Sequence, residues 1–407
     1  MSLRSGCLRP GPPKCYRQGT HRTLEPQETL RRAAAHFERF GITRMAVITG
    51  LDRIGIPVAL AVRPAARSVA VSAGKGFDLT AAKASAAMEA IECAHAEDIA
   101  LPLIFGSPEE IAAHHRIPDM AALASGGQKL GRFLWIEAED LLKEGTAWLP
   151  YQLVHAHYAR PHLPNAHRFR ATTNGLASGN TLAEAVCHGL CEVIERDACT
   201  RWQRLPPPAR EARALALESI RDEGLRELLG RLATARFRVA AWDVTSDIAV
   251  SVFHCAIIDD EAPDGQPGTG SGCHLDPTVA LTRALLEAVQ VRGVYISGAR
   301  DDIRRRDYSA VYLELFRRNF DRSLRRGDRG IDFSAIPSGA LETVEQDIGA
   351  VLAKLAAAGF GSVFAINLSH ADVGIPVVRV VVPGLENSAD EDVDLDPWTR
   401  TPGLALS

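Results

Sequence analysis

A mixed α/β (α+β) fold is what this sequence predicts, and three observations carry the prediction. Runs rich in β-branched residues, such as 376–382, alternate along the chain with helical segments, such as 79–97 and 278–297. The 407 residues, 46% of them hydrophobic, are enough for a large core or two subdomains. Three glycine-bearing segments each lead into a helix whose polar residues repeat at i, i+4 and i+7.

Taken in order, residues 1–25 read as an irregular leader containing Pro10, Pro12 and Pro13. Residues 26–40 have helical apolar spacing at Leu30, Ala34 and Phe37. Segments 45–50 and 57–62 read as strands around a turn at Asp52–Gly55, and 68–72 as a third strand running into a glycine loop, Gly74-Lys75-Gly76. An alanine-rich helix is expected over 79–97, and 104–143 is a mixed connector. Segment 148–158 reads as a strand leading to a histidine-containing loop. His155, His157, His162 and His167 have no acidic or cysteine partner nearby, so they read as solvated or satisfied histidines rather than metal ligands. Leu205-Pro206-Pro207-Pro208 is a hard break. Residues 213–233 look helical, 237–244 and 249–258 look like strands, and 259–270 a surface loop. Ser271-Gly272-Cys273 then leads to Asp276-Pro277, an N-cap followed by proline at the first helical position, and to a helix over 278–297. Helices over 308–320 and 341–358, strands over 362–368 and 376–382, a stop at Pro383-Gly384, and an acidic, irregular tail complete the chain.

The stretch from Asn174 to Thr200 is the most informative. Gly175 and Gly179 allow a tight turn, and Thr181 with Glu184 fits a capping box ahead of an apolar run. On the helix that follows, His188, Glu192 and Glu195 share one face. Two carboxylates one turn apart suit a hard divalent cation such as Mg²⁺ carrying phosphate. Alone, this pattern also fits a solvated acidic face with an N-cap. It recurs, however. Ser85, Glu89 and Glu92 repeat it on the 79–97 helix, and Arg283, Glu287 and Gln290 on the 278–297 helix, with Arg292 two residues on. Glu89 follows Gly76 at the same spacing at which Glu192 follows Gly179. The glutamates are embedded in Ala-Met-Glu-Ala-Ile-Glu and Leu-Cys-Glu-Val-Ile-Glu, which sets carboxylates against a packed interior. Buried carboxylates need partners, and four around one pocket repel unless cations neutralise them. The reading is two Mg²⁺ and a polyphosphate, with Lys75, Arg196 and Arg292 as phosphate partners. Gly74-Lys75-Gly76 lacks the frame of the common phosphate-binding loop, so the nucleotide site is of another kind.

Several classes are set aside. The net charge of −4 and the lack of a basic block with interleaved aromatics give no nucleic-acid footprint. No run of about 18 apolar residues predicts a membrane span. The first 25 residues lack the apolar core of a signal peptide. Eight cysteines in this length do not form a disulfide framework, and reduced thiols fit a cytoplasmic protein.

Ser72-Ala73-Gly74-Lys75-Gly76 with Ala84-Ser85-Ala86-Ala87-Met88-Glu89-Ala90-Ile91-Glu92 resembles the first signature of the YcaO family. Asn174-Gly175-Leu176-Ala177-Ser178-Gly179-Asn180 through Glu192-Val193-Ile194-Glu195-Arg196-Asp197 resembles the second. Arg283 through Arg292, with Ser297-Gly298-Ala299-Arg300-Asp301-Asp302, resembles the third, and Val380-Val381-Val382-Pro383-Gly384-Leu385-Glu386 the closing strand. The resemblance implies a YcaO-type fold with a non-standard, glutamate-lined ATP site, and an extension over 1–40, a catalytic domain over 41–390 and a tail over 391–407. It implies that Glu89, Glu92, Glu192 and Glu195 face Mg²⁺. It also implies that Ser85, Glu184 and Arg196 contact nucleotide or phosphate, and that Lys75, Glu287, Gln290 and Arg292 are motif positions of the same site. Cys93 departs from the pattern, because many members have arginine after the position of Glu92. His188, on the glutamate stripe, is a candidate general base.

The implied activity is ATP-dependent phosphorylation of a peptide backbone amide oxygen, followed by attack of a nucleophile on the same carbon and departure of phosphate. Three functions follow from it: thioamide formation on a ribosomally made peptide or protein, azoline formation by a cyclodehydratase, or a binding-only accessory role. Azoline-forming members commonly end in PxPxP, and the two prolines of the tail here, Pro397 and Pro402, are too far apart for it. Tyr16-Arg17-Gln18-Gly19-Thr20-His21-Arg22, Gly41-Ile42-Thr43-Arg44 and Thr49-Gly50-Leu51-Asp52 resemble the TfuA-associated branch. The expectation is therefore thioamidation. No leader-binding domain is legible ahead of the first motif, so a TfuA-type partner is expected to help capture the substrate. Self-association as a dimer is expected by family analogy.

Overall fold

The computed structural model of the chain describes residues 3–9, 11–123, 130–159, 168–169, 172–262, 265–300, 302–303, 305–324 and 330–386. Among them, three helices lie on three antiparallel sheets, and their packing is set by small residues. The first sheet joins Arg44–Val47, Val58–Val62 and Val71–Lys75 in sequence order. The Leu79–Glu97 helix crosses it, with Asp78 as N-cap accepting a hydrogen bond from the Ala81 N–H. Ala82, Ala86 and Ala90 of that helix are buried. A Cβ at Gly74 would stand 2.1 Å from the Ala86 nitrogen and 2.2 Å from the Ala82 carbonyl oxygen. Only a glycine lets this strand and helix meet backbone to backbone.

The second sheet is Gly268–His274, Ser251–Asp259 and Phe237–Asp243, with Ser251–Asp259 in the middle. The Pro277–Ser297 helix covers it, and the contact repeats the same device three times. A Cβ at Gly268, Gly270 or Gly272 would lie 2.0, 2.3 or 2.0 Å from the carbonyl oxygens of Ala288, Ala284 and Ala280. Glycines at period two on the strand meet alanines at period four on the helix.

The third sheet runs Leu103–Gly106, Phe133–Asp140, Phe364–Asn367, Val377–Val381, Leu176–Ser178, with Thr146–Pro150 also paired to Phe133–Asp140. The Leu182–Arg204 helix packs on Val377–Val381 and Leu176–Ser178, and the Val344–Ala357 helix lies against it. Val186, Leu190, Val193 and Ile194 join Val378, Val380, Ile348 and Val351 in one core cluster. Full burial of each such side chain contributes about 1.5–3 kcal/mol.

The structure corrects five expectations. The leader is not irregular throughout: Leu3–Leu8 is a helix whose Leu3 and Cys7 are buried against the Leu182–Arg204 helix. Gly74 and Lys75 are strand residues rather than a loop, and Gly270 to Cys273 are likewise strand. Glycine signalled a turn in the sequence, but here it relieves contact with a helix. The 148–158 strand stops at Pro150, which has no N–H for the ladder, and turns through Tyr151–Leu153. The 213–233 helix starts only at Glu223, capped by Asp222, because Leu215–Ala216 pairs in parallel with Ile331–Asp332. The 26–40 helix ends at Ala34. All eight cysteines are free. No helix among the described residues is long and apolar enough to cross a membrane.

A carboxylate-lined candidate nucleotide site

The three polar stripes converge on one cavity of 620 Å³. Ser85, Glu89, Glu92 and Cys93 reach it from the Leu79–Glu97 helix, and Glu184, His188, Glu192, Glu195 and Arg196 from the Leu182–Arg204 helix. Arg283, Glu287 and Gln290 come from the Pro277–Ser297 helix, and Lys75 from the end of its strand. The stripes face inward because the other faces of these helices are taken by sheets and neighbouring helices.

Burial dominates the electrostatics. It pushes the Glu89 carboxyl above its ordinary value, against the pull of Arg300 and Lys75. Glu92 is pushed well above, by burial and then by Glu192 and Glu89. Burial also raises Glu192, which Arg196 and Arg379 partly offset. Glu195 is pushed up to about 7, by burial and then by Glu287. Glu287, unlike the other stripe glutamates named here, is held below its ordinary value: Lys75, 2.7 Å from its Oε2, and Arg196 outweigh burial. These groups lie deep among protein atoms yet open onto the cavity, with the Glu192 and Arg196 side chains 19% and 48% exposed. Among the described residues, Glu89, Glu92 and Glu195 have no ion pair. Carboxylates that raise one another's pKa and form no ion pair of their own fit a divalent cation with oxygen ligands, and Mg²⁺ is of that kind.

The cations are arranged unequally. Lys75 is bound to Glu287, Arg196 lies 3.8 Å from Glu192, and Arg22 is 3.9 Å from Glu184. Arg300 Nε donates to Asp302 at 2.8 Å. Arg283 is different: its Nη2 donates at 3.0 Å to His188 Nε2, a neutral partner, and its Nε is buried without one. A guanidinium only donates, so His188 Nε2 accepts and the neutral ring carries its proton on Nδ1. Burial, with Arg283 adding to it, holds the imidazole well below its ordinary pKa. With Nε2 engaged, His188 orients Arg283 and is not placed to act as the general base.

Of the predicted residues, Arg292 is misplaced. It is buried outside the cavity, where Nε donates to Asp52 at 2.6 Å and Nη2 to Asp259 at 3.2 Å. Nη1 donates to the Gln266 carbonyl, and the guanidinium stacks 4.7 Å from the Phe237 ring. The i, i+4, i+7 stripe ends at Gln290, and two residues further a helix has turned about 200° away. Gln290 itself donates from Nε2 to the Ala73 carbonyl at 2.9 Å, and its Oε1 is buried without a partner. Glu184 is fully buried, and its backbone N–H is capped by Thr181. Its carboxylate, however, reaches Asn180 N–H at 2.9 Å and the Thr23 N–H and hydroxyl, each at 2.6 Å. His155 is buried, stacked on Tyr151 and held down to about 4 by burial, so it is a structural histidine. His162 and His167 lie outside the described residues, as does the 391–407 tail.

Four features went unassigned in the sequence. Arg283 opens the third stripe, and that was its available signal. Arg300 and Asp302 line the cavity just beyond the same helix. Tyr16, Gly19, Thr20 and Arg22 form one wall, from a segment whose proline and glycine content looked like leader. Arg379, buried in the Val377–Val381 strand, donates from Nη2 to the Thr172 carbonyl at 2.6 Å and stands near Glu192 and Glu92. Its one-residue interruption of a valine run was the only hint.

Comparison with known proteins places this geometry. The model of the family described as YcaO cyclodehydratase, ATP- and Mg²⁺-binding, matches residues 73–386. A Rhizobium leguminosarum bv. trifolii protein in the tfuA 3′ region is 32% identical over 380 residues, covering 90% of this chain and 88% of its own. The solved structure of YcaO from Methanopyrus kandleri, bound with AMPPCP and Mg²⁺, matches with a TM-score of 0.75 and 24% identity over 98% of this chain and 100% of that one. A heterocyclase solved in complex with substrate and cofactor matches with a TM-score of 0.73 and 21% identity, over 92% of this chain. This chain spans 53% of that heterocyclase's length.

Proposed function

This chain belongs to the YcaO family, with its ATP- and Mg²⁺-binding fold, and from that premise we propose that it converts a backbone amide of a ribosomally made peptide or protein into a thioamide. The observation that carries the reading is the convergence of four raised-pKa carboxylates and three polar stripes on one cavity. An amide oxygen is a poor leaving group, and phosphorylation converts it into a good one, phosphate. In the proposed reaction the amide oxygen takes the terminal phosphoryl of ATP, whose bond to the bridging oxygen breaks as ADP departs with the electron pair. Hydrosulfide adds to the same carbon, and the C–O bond breaks as phosphate departs with the electron pair. The amide oxygen ends in phosphate and sulfur takes its place.

Glu89, Glu92, Glu192 and Glu195 are the residues that would hold Mg²⁺. Bound there, Mg²⁺ neutralises charge on the transferred phosphoryl, the main catalytic contribution in such reactions. Lys75, Arg196 and Arg283 are the cations that would meet phosphate oxygens, Arg283 most readily because among the described residues no carboxylate forms an ion pair with it. Ser85, Glu184, Glu287 and Gln290 complete the wall, with Glu287 fixing Lys75 and Glu184 fixing the Thr23 segment.

Sulfur is preferred over azoline chemistry because of the likeness to a protein encoded in a tfuA 3′ region. A TfuA-type partner for substrate capture and a dimeric state belong to the same proposal. The experiment reacts the purified chain, with and without such a partner, with candidate peptides, ATP, Mg²⁺ and sulfide. Mass analysis then separates the outcomes. Oxygen-for-sulfur exchange requiring sulfide is the expected result. Loss of water at Cys, Ser or Thr without sulfide would replace the thioamide reading by cyclodehydration. ATP turnover with no modified peptide under any condition would point to an accessory role.

A further inference from the structure

We propose that Lys14 is a positioning residue for nucleotide binding, a latch that holds the 11–29 segment as a wall of the nucleotide cavity. Its ammonium is completely buried, and Asp347 beside it is 2% exposed. Nζ donates to Asp347 Oδ2 and, at 2.7 Å, to the Leu341 carbonyl, and lies 3.4 Å from His21 Nδ1. Asp347 Oδ1 accepts the Leu341 N–H at 2.7 Å, so the socket is tied to the start of the Val344–Ala357 helix.

The donors around this point have the spacing of a metal site, with ligand atoms of His21, His274 and Asp347 within 4.8 Å of one another. The protein supplies its own cation instead. Lys14 already engages Asp347 and His21. His274 Nδ1 accepts the Asp276 N–H at 2.9 Å, which leaves the proton on Nε2 and removes that nitrogen as a ligand. Burial, with Lys14 adding to it, holds His21 down to about 4, so the ring is neutral beside the ammonium.

The chain carries this anchor straight to the cavity. After Lys14 it folds back on itself, with Tyr16 N–H donating to the Arg22 carbonyl at 3.0 Å and Arg22 N–H to the Tyr16 carbonyl at 2.9 Å. The loop tip rests on the Phe77 ring, which a Cβ at Gly19 would approach to 2.5 Å. Tyr16, Thr20 and Arg22 line the cavity along this loop, and beyond it Thr23 is tied to Glu184. The loop therefore has buried side-chain anchors at both ends, Lys14 before it and Thr23 after it, supplemented by the 3.3 Å bond from the Lys14 N–H to the Glu342 carbonyl, by Arg17 at 3.3 Å from Glu342 and by Arg22 at 3.9 Å from Glu184. Loss of the Lys14 ammonium leaves the near end to that backbone bond, the Pro13–Thr343 bridge and the exposed Arg17 pair, so the wall is docked in a smaller fraction of molecules. Nucleotide affinity then falls in proportion to the fraction of molecules with the wall docked, about tenfold if one molecule in about ten keeps it in place.

The test compares wild type with Lys14→Met by calorimetric titration of a non-hydrolysable ATP analogue with Mg²⁺, and by amide hydrogen exchange. We expect weaker nucleotide binding by about tenfold, faster exchange at the Tyr16 and Arg22 amides, and unchanged exchange in the Val377–Val381 strand. A role in general stability alone would move exchange everywhere and leave the affinity of the folded fraction intact. Wild-type affinity in the variant would overturn the proposal. The unmutated protein gives a second arm that does not depend on the variant folding. By linkage, the analogue must slow exchange at Tyr16 and Arg22, and exchange indifferent to the analogue would equally overturn it.

Discussion

Replacing Glu195 by Gln should stabilise the metal-free protein at neutral pH while abolishing ATP turnover. Glu195 is 7% exposed, and its carboxyl is pushed from an ordinary 4.5 up to about 7, by burial first and by Glu287 second. Between those values the folded state binds a proton that the unfolded state has released. Stability therefore falls as pH rises from about 4.5 to about 7, and the loss is complete above that. The difference between 4.5 and about 7, at about 1.4 kcal/mol per pH unit, sets an upper bound of about 3.5 kcal/mol. Glutamine keeps the shape and removes the charge, so Glu195→Gln escapes this loss. The assay is urea unfolding in the presence of a chelator, at about pH 5 and about pH 8. The variant should exceed wild type by about 1–3 kcal/mol at the higher pH and by little at the lower. With Mg²⁺ and nucleotide the order should reverse, because only wild type gains ligand stabilisation. A variant less stable than wild type at high pH in chelator would refute the reasoning. It would mean that the carboxylate is satisfied by protein partners and does not await a cation.

Two arginines of the Pro277–Ser297 helix should behave in opposite ways. Arg292→Met leaves Asp52 and Asp259 without its guanidinium in a buried setting, so a stability loss of about 3–5 kcal/mol is expected, with unchanged nucleotide affinity in the folded fraction. Denaturant unfolding combined with analogue titration checks both. Arg283→Met removes a charge whose protein partner is the neutral His188. It should leave the melting midpoint nearly unchanged and weaken nucleotide binding by about 1.5–3 kcal/mol, the worth of a hydrogen bond to a charged group. Unchanged affinity in Arg283→Met would remove it from the phosphate contacts.

The site was more legible than the fold around it. Helical spacing alone put Glu89 with Glu92, and Glu192 with Glu195, on common faces, and the apolar residues between them implied an interior. Those are local facts, and a helix preserves them. Arg292 failed because its two-residue step beyond Gln290 leaves the stripe, and no local rule says which buried carboxylates, Asp52 and Asp259 here, will claim an arginine. The wall formed by Tyr16 and Arg22 was invisible for a related reason. Its position depends on Lys14 meeting Asp347, a pairing across most of the chain that no periodicity encodes.

The misread glycines tie fold to site. In the sequence Gly74 reads as part of a glycine loop and Gly270 as the end of a surface loop, with Gly272 in the stretch that leads on to the next helix. In the structure they are strand residues pressed against Ala82, Ala86, Ala280 and Ala284. Their effect on the site is indirect and strong. Backbone contact at about 2–2.5 Å from a notional Cβ leaves no room for a helix to slide or roll. On the same helices, one turn or less away, stand Glu89, Arg283 and Glu287. A helix cushioned from its sheet by longer side chains could adjust and let buried carboxylates drift apart, relieving their repulsion. Locked by glycine against alanine, it cannot, and the repulsion stays available to be relieved by a bound cation.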